Sequence, residues 1–312
     1  MNNLTTALEL TKTLKTYKKG MPVLTKTLVD DNRVIVSDLD SQLTVNMDYT
    51  PANGAYLTDK DTAAEKSKIG LDLDTEKMSV DNYPILEQDK IIESRSFYAS
   101  DLQADLKSVS YAMAKQDVRY YLNGILFDSD CLVATDGHRL AKTDFNGIPE
   151  NQTIVRSEGI VILEKLLRKT VKNEVVKIAF GDNFTTFESS DWTLLVRNVD
   201  GRYPDYKRVI PKEKGVAVVW SKAAIKERKA EIKVLKPIVK AMESFAPIRI
   251  DNSGTLVMPE EGKENHFNVQ YVNDVLTRIS SDCEVFLGGS VGQYTLIKES
   301  DNTVHVIMPM RY

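Results

Sequence analysis

Leu126-Phe-Asp-Ser-Asp-Cys-Leu-Val-Ala-Thr-Asp136 reads as a strand, a tight polar turn and a second strand. The same pattern stands earlier as Leu28-Val-Asp-Asp-Asn-Arg-Val-Ile-Val-Ser-Asp38, at an offset of 136 − 38 = 98 residues. A second echo pairs Asp81-Asn-Tyr-Pro84 with Gly201-Arg-Tyr-Pro204, at an offset of 204 − 84 = 120. Two matches in the same order predict a repeated domain. A fainter third copy is Ile248-Arg-Ile-Asp-Asn-Ser-Gly-Thr-Leu-Val257, again strand, turn, strand. The two offsets differ by 120 − 98 = 22 residues, so the first unit has lost about that much between its echoes. That length suits a helix with its connections.

Helical periodicity fills the intervals. Thr5 to Lys18 starts on threonines suited to an N-cap and ends before Gly20. Ser100 to Lys115 carries Leu102, Leu106, Val109 and Met113 at helical spacing, and Glu158 to Lys172 carries Ile162 and Leu166. Lys222 to about Phe245 predicts a long helix that Pro237 should kink or break. Asn268 to Ile279 completes the set, with Val269, Val272 and Leu276 on one face. Val216 to Trp220 and Val285 to Leu287 read as strands. Short strand-turn-strand hairpins argue for antiparallel sheets, hence an α+β class rather than a doubly wound parallel sheet. Boundaries fall near 92 and 213, giving domains 1–92, 93–212 and 213–312.

The chain has 312 residues, 42% hydrophobic and 28% charged, which describes a folded globular protein of two or three domains. No apolar run approaches the roughly 20 residues of a membrane span, and no signal peptide is visible. Cys131 and Cys283 are too few for a disulfide framework or a zinc site. These features favour the cytoplasm. The formal net charge is −4, yet the basic residues are not spread evenly. Lys222, Lys226, Lys229, Lys233, Lys236 and Lys240 are spaced to share one helical face. Lys12, Lys15 and Lys19 repeat the pattern, and so do Lys165, Arg168 and Lys172. A single such stripe is most simply a solvated face. Three stripes in three successive repeats suit a phosphate backbone held without base reading.

Enzyme signatures are missing from the sequence. There is no Gly-x-x-x-x-Gly-Lys-Ser/Thr loop, no His-Glu-x-x-His, no Cys-x-x-Cys and no Gly-x-Ser-x-Gly. Asp136 and His138 could form an acid/base pair or two metal ligands. Asp-Gly after a strand is more simply a turn, and Arg139 beside Leu140 suits a recognition edge. Arg202-Tyr-Pro-Asp-Tyr206 reads as an ordered connector, and Val304 to Met308 as a strand.

Three long motifs support a resemblance. They are Val118-Arg-Tyr-Tyr-Leu-Asn-Gly124 running into Ala134-Thr-Asp-Gly-His-Arg-Leu-Ala141; Asp200-Gly-Arg-Tyr-Pro-Asp-Tyr-Lys-Arg-Val-Ile-Pro211; and Val306-Ile-Met-Pro-Met-Arg-Tyr312. From about Phe97 to Pro211 and from His266 to Tyr312, the chain resembles the bacterial DNA polymerase III beta subunit, or beta sliding clamp, family. It looks like a divergent or phage-type member. The first third matches only in outline, through Asp81-Asn-Tyr-Pro-Ile-Leu86 and the early lysine-bearing helix.

The resemblance implies three repeated clamp-type domains, with antiparallel sheets outside and helices lining a DNA channel. It implies a head-to-tail homodimer ring around duplex DNA, read without sequence specificity, that tethers a replicative DNA polymerase and is opened by a clamp loader. It implies no catalysis, no cofactor and no metal. Lys12, Lys15, Lys19, Lys165, Arg168, Lys172, Lys222, Lys226, Lys229 and Lys233 become the candidate DNA contacts. The family's peptide groove maps here onto Leu122, Thr135, Gly137, His138, Arg139, Leu140, Pro204, Arg208, Val209, Asn268, Tyr271 and Val291, closed by Val306, Met308, Pro309, Met310, Arg311 and Tyr312. Three departures stand out. The first domain is expected to lack its second helix, the third to lack most of a hairpin between Ile250 and Phe267, and Tyr312 stands where the family commonly ends in Leu. A clamp-derived adaptor that binds replication peptides without closing a ring is the alternative. An enzyme built on Asp136 and His138 is a distant third.

Overall fold

The computed structural model describes residues 3–14, 21–48, 54–68, 75–76, 80–145, 152–210, 216–242, 246–263, 265–279, 281–287, 294–299 and 303–310. The first elements are α1 (Leu4–Thr11), β1 (Lys26–Asp30), β2 (Arg33–Ser37), β3 (Ser41–Asn46), β4 (Tyr56–Asp59), α2 (Lys60–Lys68) and the two-residue β5 (Thr75–Glu76). Next come β6 (Ile91–Tyr98), α3 (Ala99–Val109), β7 (Gly124–Asp128), β8 (Cys131–Thr135), β9 (Arg139–Asp144) and β10 (Thr153–Arg156). They lead into α4 (Ser157–Leu167), β11 (Val175–Gly181), β12 (Phe184–Glu188) and β13 (Trp192–Arg197). The last third holds β14 (Val216–Trp220), α5 (Lys222–Met242), β15 (Pro247–Ile250), β16 (Leu256–Val257) and β17 (His266–Asn268). It ends with α6 (Val269–Arg278), β18 (Cys283–Leu287), β19 (Thr295–Glu299) and β20 (Val304–Ile307). The class is α+β, and the described strand pairs are antiparallel.

The chain forms two compact units, Met1–Gln103 with Val155–Asp200, and Ala104–Ile154 with Gly201–Tyr312. The first holds a nine-stranded sheet in the order β5-β4-β1-β2-β3-β13-β12-β11-β6. The second holds an eight-stranded sheet, β10-β7-β8-β9-β20-β19-β18-β14, and a three-stranded sheet, β16-β15-β17. Each large sheet joins strands of two successive repeats at one place. Trp192 to Val196 of β13 register on Val45 to Ser41 of β3. Val304 to Ile307 of β20 register on Lys142 to Arg139 of β9. Both splices cross the boundaries expected near 92 and 213.

The repeat is physical. Strands β7, β8 and β9 begin 98 residues after β1, β2 and β3 (124 − 26, 131 − 33 and 139 − 41). β10 and α4 follow β4 and α2 at 97 (153 − 56 and 157 − 60). Tyr83 and Tyr203 are both buried. The Tyr83 hydroxyl accepts from the Ser37 N–H at 3.1 Å, and the Tyr203 hydroxyl faces the backbone of Thr135, the counterpart of Ser37 (135 − 37 = 98). Burial pushes both phenols up.

The structure corrects the expected loss of the second helix from the first domain. α2 is present, and the deficit lies after it. From the end of α2 to Tyr83 is 83 − 68 = 15 residues, whereas from the end of α4 to Tyr203 is 203 − 167 = 36. β11, β12 and β13 occupy the longer span. In the shorter one the described residues contain β5 alone as a strand, paired with β4. The third repeat is short as well. β17 starts 266 − 247 = 19 residues after β15, against 153 − 124 = 29 from β7 to β10, and no strand lies between β16 and β17 among the described residues.

Helix limits differ from the periodicity in physically clear ways. α1 is capped by Asn3, whose side chain accepts from the Thr6 N–H at 2.8 Å, and it stops at Thr11. The Thr11 and Thr13 hydroxyls donate back to the Leu8 and Leu10 carbonyls through this end. Residues 15–20 of the expected longer helix lie outside the described residues. α4 ends at Leu167, so Lys172 is not on its face. α5 runs through Pro237 to Met242 without the expected break. Its buried Ile225, Ile232 and Leu235, and its packing on α6, offset a proline that costs roughly 3 kcal/mol in a helix interior.

Candidate functional site

The second unit carries an apolar groove whose rim is the turn between β8 and β9. Thr135 Oγ1 donates to the Arg139 carbonyl at 2.6 Å and accepts from the Gly137 N–H at 3.0 Å. Asp136 Oδ1 accepts from the His138 and Arg139 N–H groups at 2.9 and 3.0 Å, while Oδ2 pairs with Arg139 Nε at 3.1 Å. Gly137 sits at φ +87°, where side chains are strained, and an added Cβ would lie 2.8 Å from Arg119 Nη1. Arg119 is itself fixed. It donates to the Asp136 carbonyl and clasps Asp117. Its hydrogen bonds hold the Asp117 carboxyl down at about 2. Both Asp136 oxygens are therefore committed to the turn, which is the conformational reading of Asp136 and His138 rather than the acid/base one.

Arg139 rivets this turn to α6. Its Nη1 meets Asp274 Oδ2 at 2.5 Å, and its guanidinium lies 4.7 Å from the Tyr271 ring centroid and 5.2 Å from that of Tyr111. His138 is exposed and stacks on Tyr271, with centroids 6.1 Å apart. Beneath the rim lies a cavity of about 180 Å³. Leu122, Leu140, Tyr206 and Val306 are its buried lining. Pro204, Val209 and Met308 complete the apolar wall, with Val209 and Met308 45% and 37% exposed. The volume is below the roughly 300–1,000 Å³ of a small-molecule site and suits one or two apolar side chains. The tail is held by main-chain bonds from the Met308 N–H to the His138 carbonyl at 2.9 Å and from the Met310 N–H to the His266 carbonyl at 2.8 Å.

Nine of the expected groove residues line this cavity: Leu122, Thr135, Gly137, Arg139, Leu140, Pro204, Val209, Val306 and Met308. His138 and Tyr271 stack beside it. Arg208 instead pairs with Asp205 at 2.8 Å, its side chain 86% exposed. Asn268 caps α6, accepting from the Gln270 N–H at 2.8 Å. Pro309 and Met310 are half-buried beyond β20. Val291, Arg311 and Tyr312 lie outside the described residues. Sequence reasoning missed Arg119 and Tyr206 as lining, although both stand inside the quoted motifs. The Tyr206 hydroxyl donates to Asp128 Oδ2 at 2.8 Å and contacts Cys131 Sγ at 3.1 Å, so the ring is anchored from below. Burial raises the Asp128 carboxyl, but the Tyr206 and Ser129 hydrogen bonds outweigh it and hold it below its ordinary value. Burial also pushes the Cys131 thiol up to about 11.

The basic residues form two surfaces, each within one unit. In the first unit, Lys12, Lys165 and Arg168 line a shallow depression with Lys169, a residue outside the stripes expected from spacing. Lys12 and Arg168 are the C-caps of α1 and α4, where helix carbonyls favour cations. Glu65 and Glu9 pair with Lys12 at 2.7 and 3.4 Å. Lys172 stands past the helix end, and Lys15 and Lys19 lie outside the described residues. In the second unit, Lys222, Lys226, Lys229 and Lys233 all stand on α5. The helix buries Ile225, Arg228, Ile232 and Leu235. Lys226, Lys229, Lys233 and Lys236 each follow one of these by one residue, so the lysine face lies about 100° round the helix.

Among the described residues there is no cluster of three metal-ligating side chains, and no helix is long and apolar enough to cross a membrane. A family model described as DNA polymerase III beta subunit, central domain, matches residues 98–205. The beta sliding clamp of Pseudomonas aeruginosa is 31% identical over 263 residues, which span 75% of this chain and 70% of that protein.

The chain belongs to the beta sliding clamp family.

The Escherichia coli K12 beta sliding clamp is 30% identical over 234 residues, 66% of this chain and 62% of that one. Among solved structures, a P. aeruginosa sliding clamp with bound griselimycin aligns at TM-score 0.80 and 26% identity, covering 99% of this chain and 97% of that one. The Thermotoga maritima beta subunit shares the fold at TM-score 0.83 and 20% identity. The groove and its fixed turn thus lie in a chain of the clamp family.

Proposed function

We propose that this protein is a DNA polymerase processivity clamp. Two copies join head to tail around duplex DNA, without a catalytic step, cofactor or metal, and act in the cytoplasm. The three repeats at 1–92, 93–212 and 213–312 are its clamp domains. Replicative polymerase and loader peptides place apolar anchors in the groove, with His138 and Arg139 at its rim and Pro309 to Tyr312 extending it. The lysines of α5 and the depression at Lys12, Lys165 and Arg168 hold the phosphate backbone through screened contacts that permit sliding.

The observation that carries this reading is the groove. Aliphatic walls of about 180 Å³ beside a hydrogen-bonded polar turn are what a short peptide anchor needs. The test is retention after loading on closed circular DNA, with release when the circle is cut. Equal retention on linear and circular DNA would end the topological claim. The second reading, an adaptor that keeps the groove but never closes, is favoured by the short span after α2. A single-chain mass at every accessible concentration would select it.

A further inference from the structure

The groove rim rests on Asp274, and a second set of side chains holds that carboxylate from the other side. Arg139 Nη1 meets Asp274 Oδ2 at 2.5 Å, and the Arg139 guanidinium lies 4.7 Å from the centroid of the Tyr271 ring on which His138 stacks. The other carboxylate oxygen, Asp274 Oδ1, accepts from Gln270 Nε2 at 2.6 Å, one helical turn back on α6. Gln270 Oε1 in turn accepts from Lys236 Nζ of α5 at 2.6 Å. The contacts run Lys236, Gln270, Asp274, Arg139, from the lysine face of α5 to the rim of the groove, all inside one unit. The residue types suit the task. An ammonium offers only donors and a carboxylate only acceptors, and an amide serves both at once, oxygen toward Lys236 and nitrogen toward Asp274. The Gln270 main chain is pinned as well, its N–H donating to Asn268 Oδ1 at 2.8 Å. Lys236 also differs from other lysines of its stripe. Lys222, Lys226 and Lys233 are exposed, whereas Lys236 is half-buried and its ammonium is engaged.

We propose that Lys236 and Gln270 are positioning residues for the peptide groove, and that Lys236 is thereby withdrawn from the phosphate-binding face of α5. The inference rests on the groove and clamp reading and gives two further residues a part in it. Bonded to an ammonium, the Gln270 amide is polarised and donates more strongly to Asp274. Asp274 is then held on both oxygens, and Arg139 keeps one place against Tyr271. A rim fixed before the peptide arrives lowers the ordering cost of binding.

The experiment uses the full chain and a panel of fluorescein-labelled pentapeptides, each with two leucine or phenylalanine anchors among polar residues, read by anisotropy. Gln270→Ala and Lys236→Met should each weaken the peptides that bind by roughly threefold to tenfold, the size expected of residues that act through another. Lys236→Arg should retain the affinity. Gln270→Glu separates positioning from mere structure. It keeps a bond to Lys236, and so keeps α5 tied to α6, yet sets a carboxylate against Asp274. Peptide affinity should fall as for Gln270→Ala while the urea midpoint holds. On an Asp274→Asn background, neither Gln270→Ala nor Lys236→Met should lower affinity further. Retention on closed circular DNA supplies the other readout. Lys233→Met should lower its salt slope by about 0.9, and Lys236→Met should leave it unchanged. Unaltered affinity in Gln270→Ala and Gln270→Glu, or losses that follow the urea midpoint, would overturn the positioning role. A salt slope lowered as much by Lys236→Met as by Lys233→Met would overturn the withdrawal of Lys236 from the basic face. Failure of the unsubstituted chain to bind any peptide of the panel would instead remove the groove reading on which the inference rests.

Discussion

Helices α2 and α4 begin 97 residues apart and follow equivalent strands, yet their sequences differ in kind. α4 buries Gly159, Ile160, Ile162 and Leu163, and a Cβ on Gly159 would meet Val196 of β13 at 2.3 Å. The α2 counterparts of Gly159, Ile160, Ile162 and Leu163, at the same offset of 97, are Thr62, Ala63, Glu65 and Lys66, of which only Ala63 is buried. Thr62 is exposed, and Glu65 reaches out to Lys12. Where a meander covers the helix, its positions are apolar or reduced to glycine. Where the meander has no described counterpart, the helix persists on a buried alanine, Ala63, and the other three positions are polar. The groove sits on the complete side of this comparison, at the β9–β20 splice.

Four experiments test the contrast between the complete and the trimmed repeat. Truncation before Met308 leaves the complete splice and removes the tail that follows it. It should abolish binding of a fluorescent apolar-anchor peptide, a loss of a hundredfold or more by anisotropy, equivalent to about 3 kcal/mol, while far-ultraviolet circular dichroism stays unchanged. Unaltered peptide affinity would detach the groove from the tail. Next, Gly159→Thr should lower stability in urea by about 1–3 kcal/mol through overpacking against Val196. The reverse change on the trimmed side, Thr62→Gly, should cost about 1 kcal/mol or less. Equal costs would mean that α2 is covered after all.

The third experiment compares the basic faces. Replacing Lys222, Lys226 and Lys229 by Glu should lower the salt slope of DNA retention by about 0.9 for each phosphate no longer neutralised. Lys12→Glu should change it less, because Glu9 and Glu65 already pair with Lys12. The smallest effect concerns His266 in the short third-repeat sheet. Burial holds its pKa below the ordinary value, so the fold favours the neutral ring. Its contribution is therefore intact above the ordinary histidine value and is lost as pH falls through the folded one. Thermal stability should drop over that interval, and His266→Gln should flatten the profile. An unchanged profile would remove His266 as its source.

The hairpins were readable because turn chemistry is local. Asp31 at φ +42° and the polar tip Ser129-Asp130 sit between strands whose apolar residues are buried. The helix α2 was not readable, because Lys60-Asp-Thr-Ala-Ala-Glu-Lys-Ser-Lys68 has no apolar stripe to give a helical period. Arg119 and Tyr206 were in view as motif residues, but their lining role depends on which atoms face the cavity. Pro237 misled for the opposite reason. A local rule against helix was outweighed by packing that the local sequence does not contain.

The α+β class, the antiparallel hairpins, the repeat and most of the groove's residues were set by sequence alone, since periodicity, turn residues and motif identity act over a few positions. The splices of β3 to β13 and β9 to β20 and the place of the deficit after α2 emerged from the folded chain. Those depend on long-range strand registry and on what covers each face, and no window of sequence holds both partners.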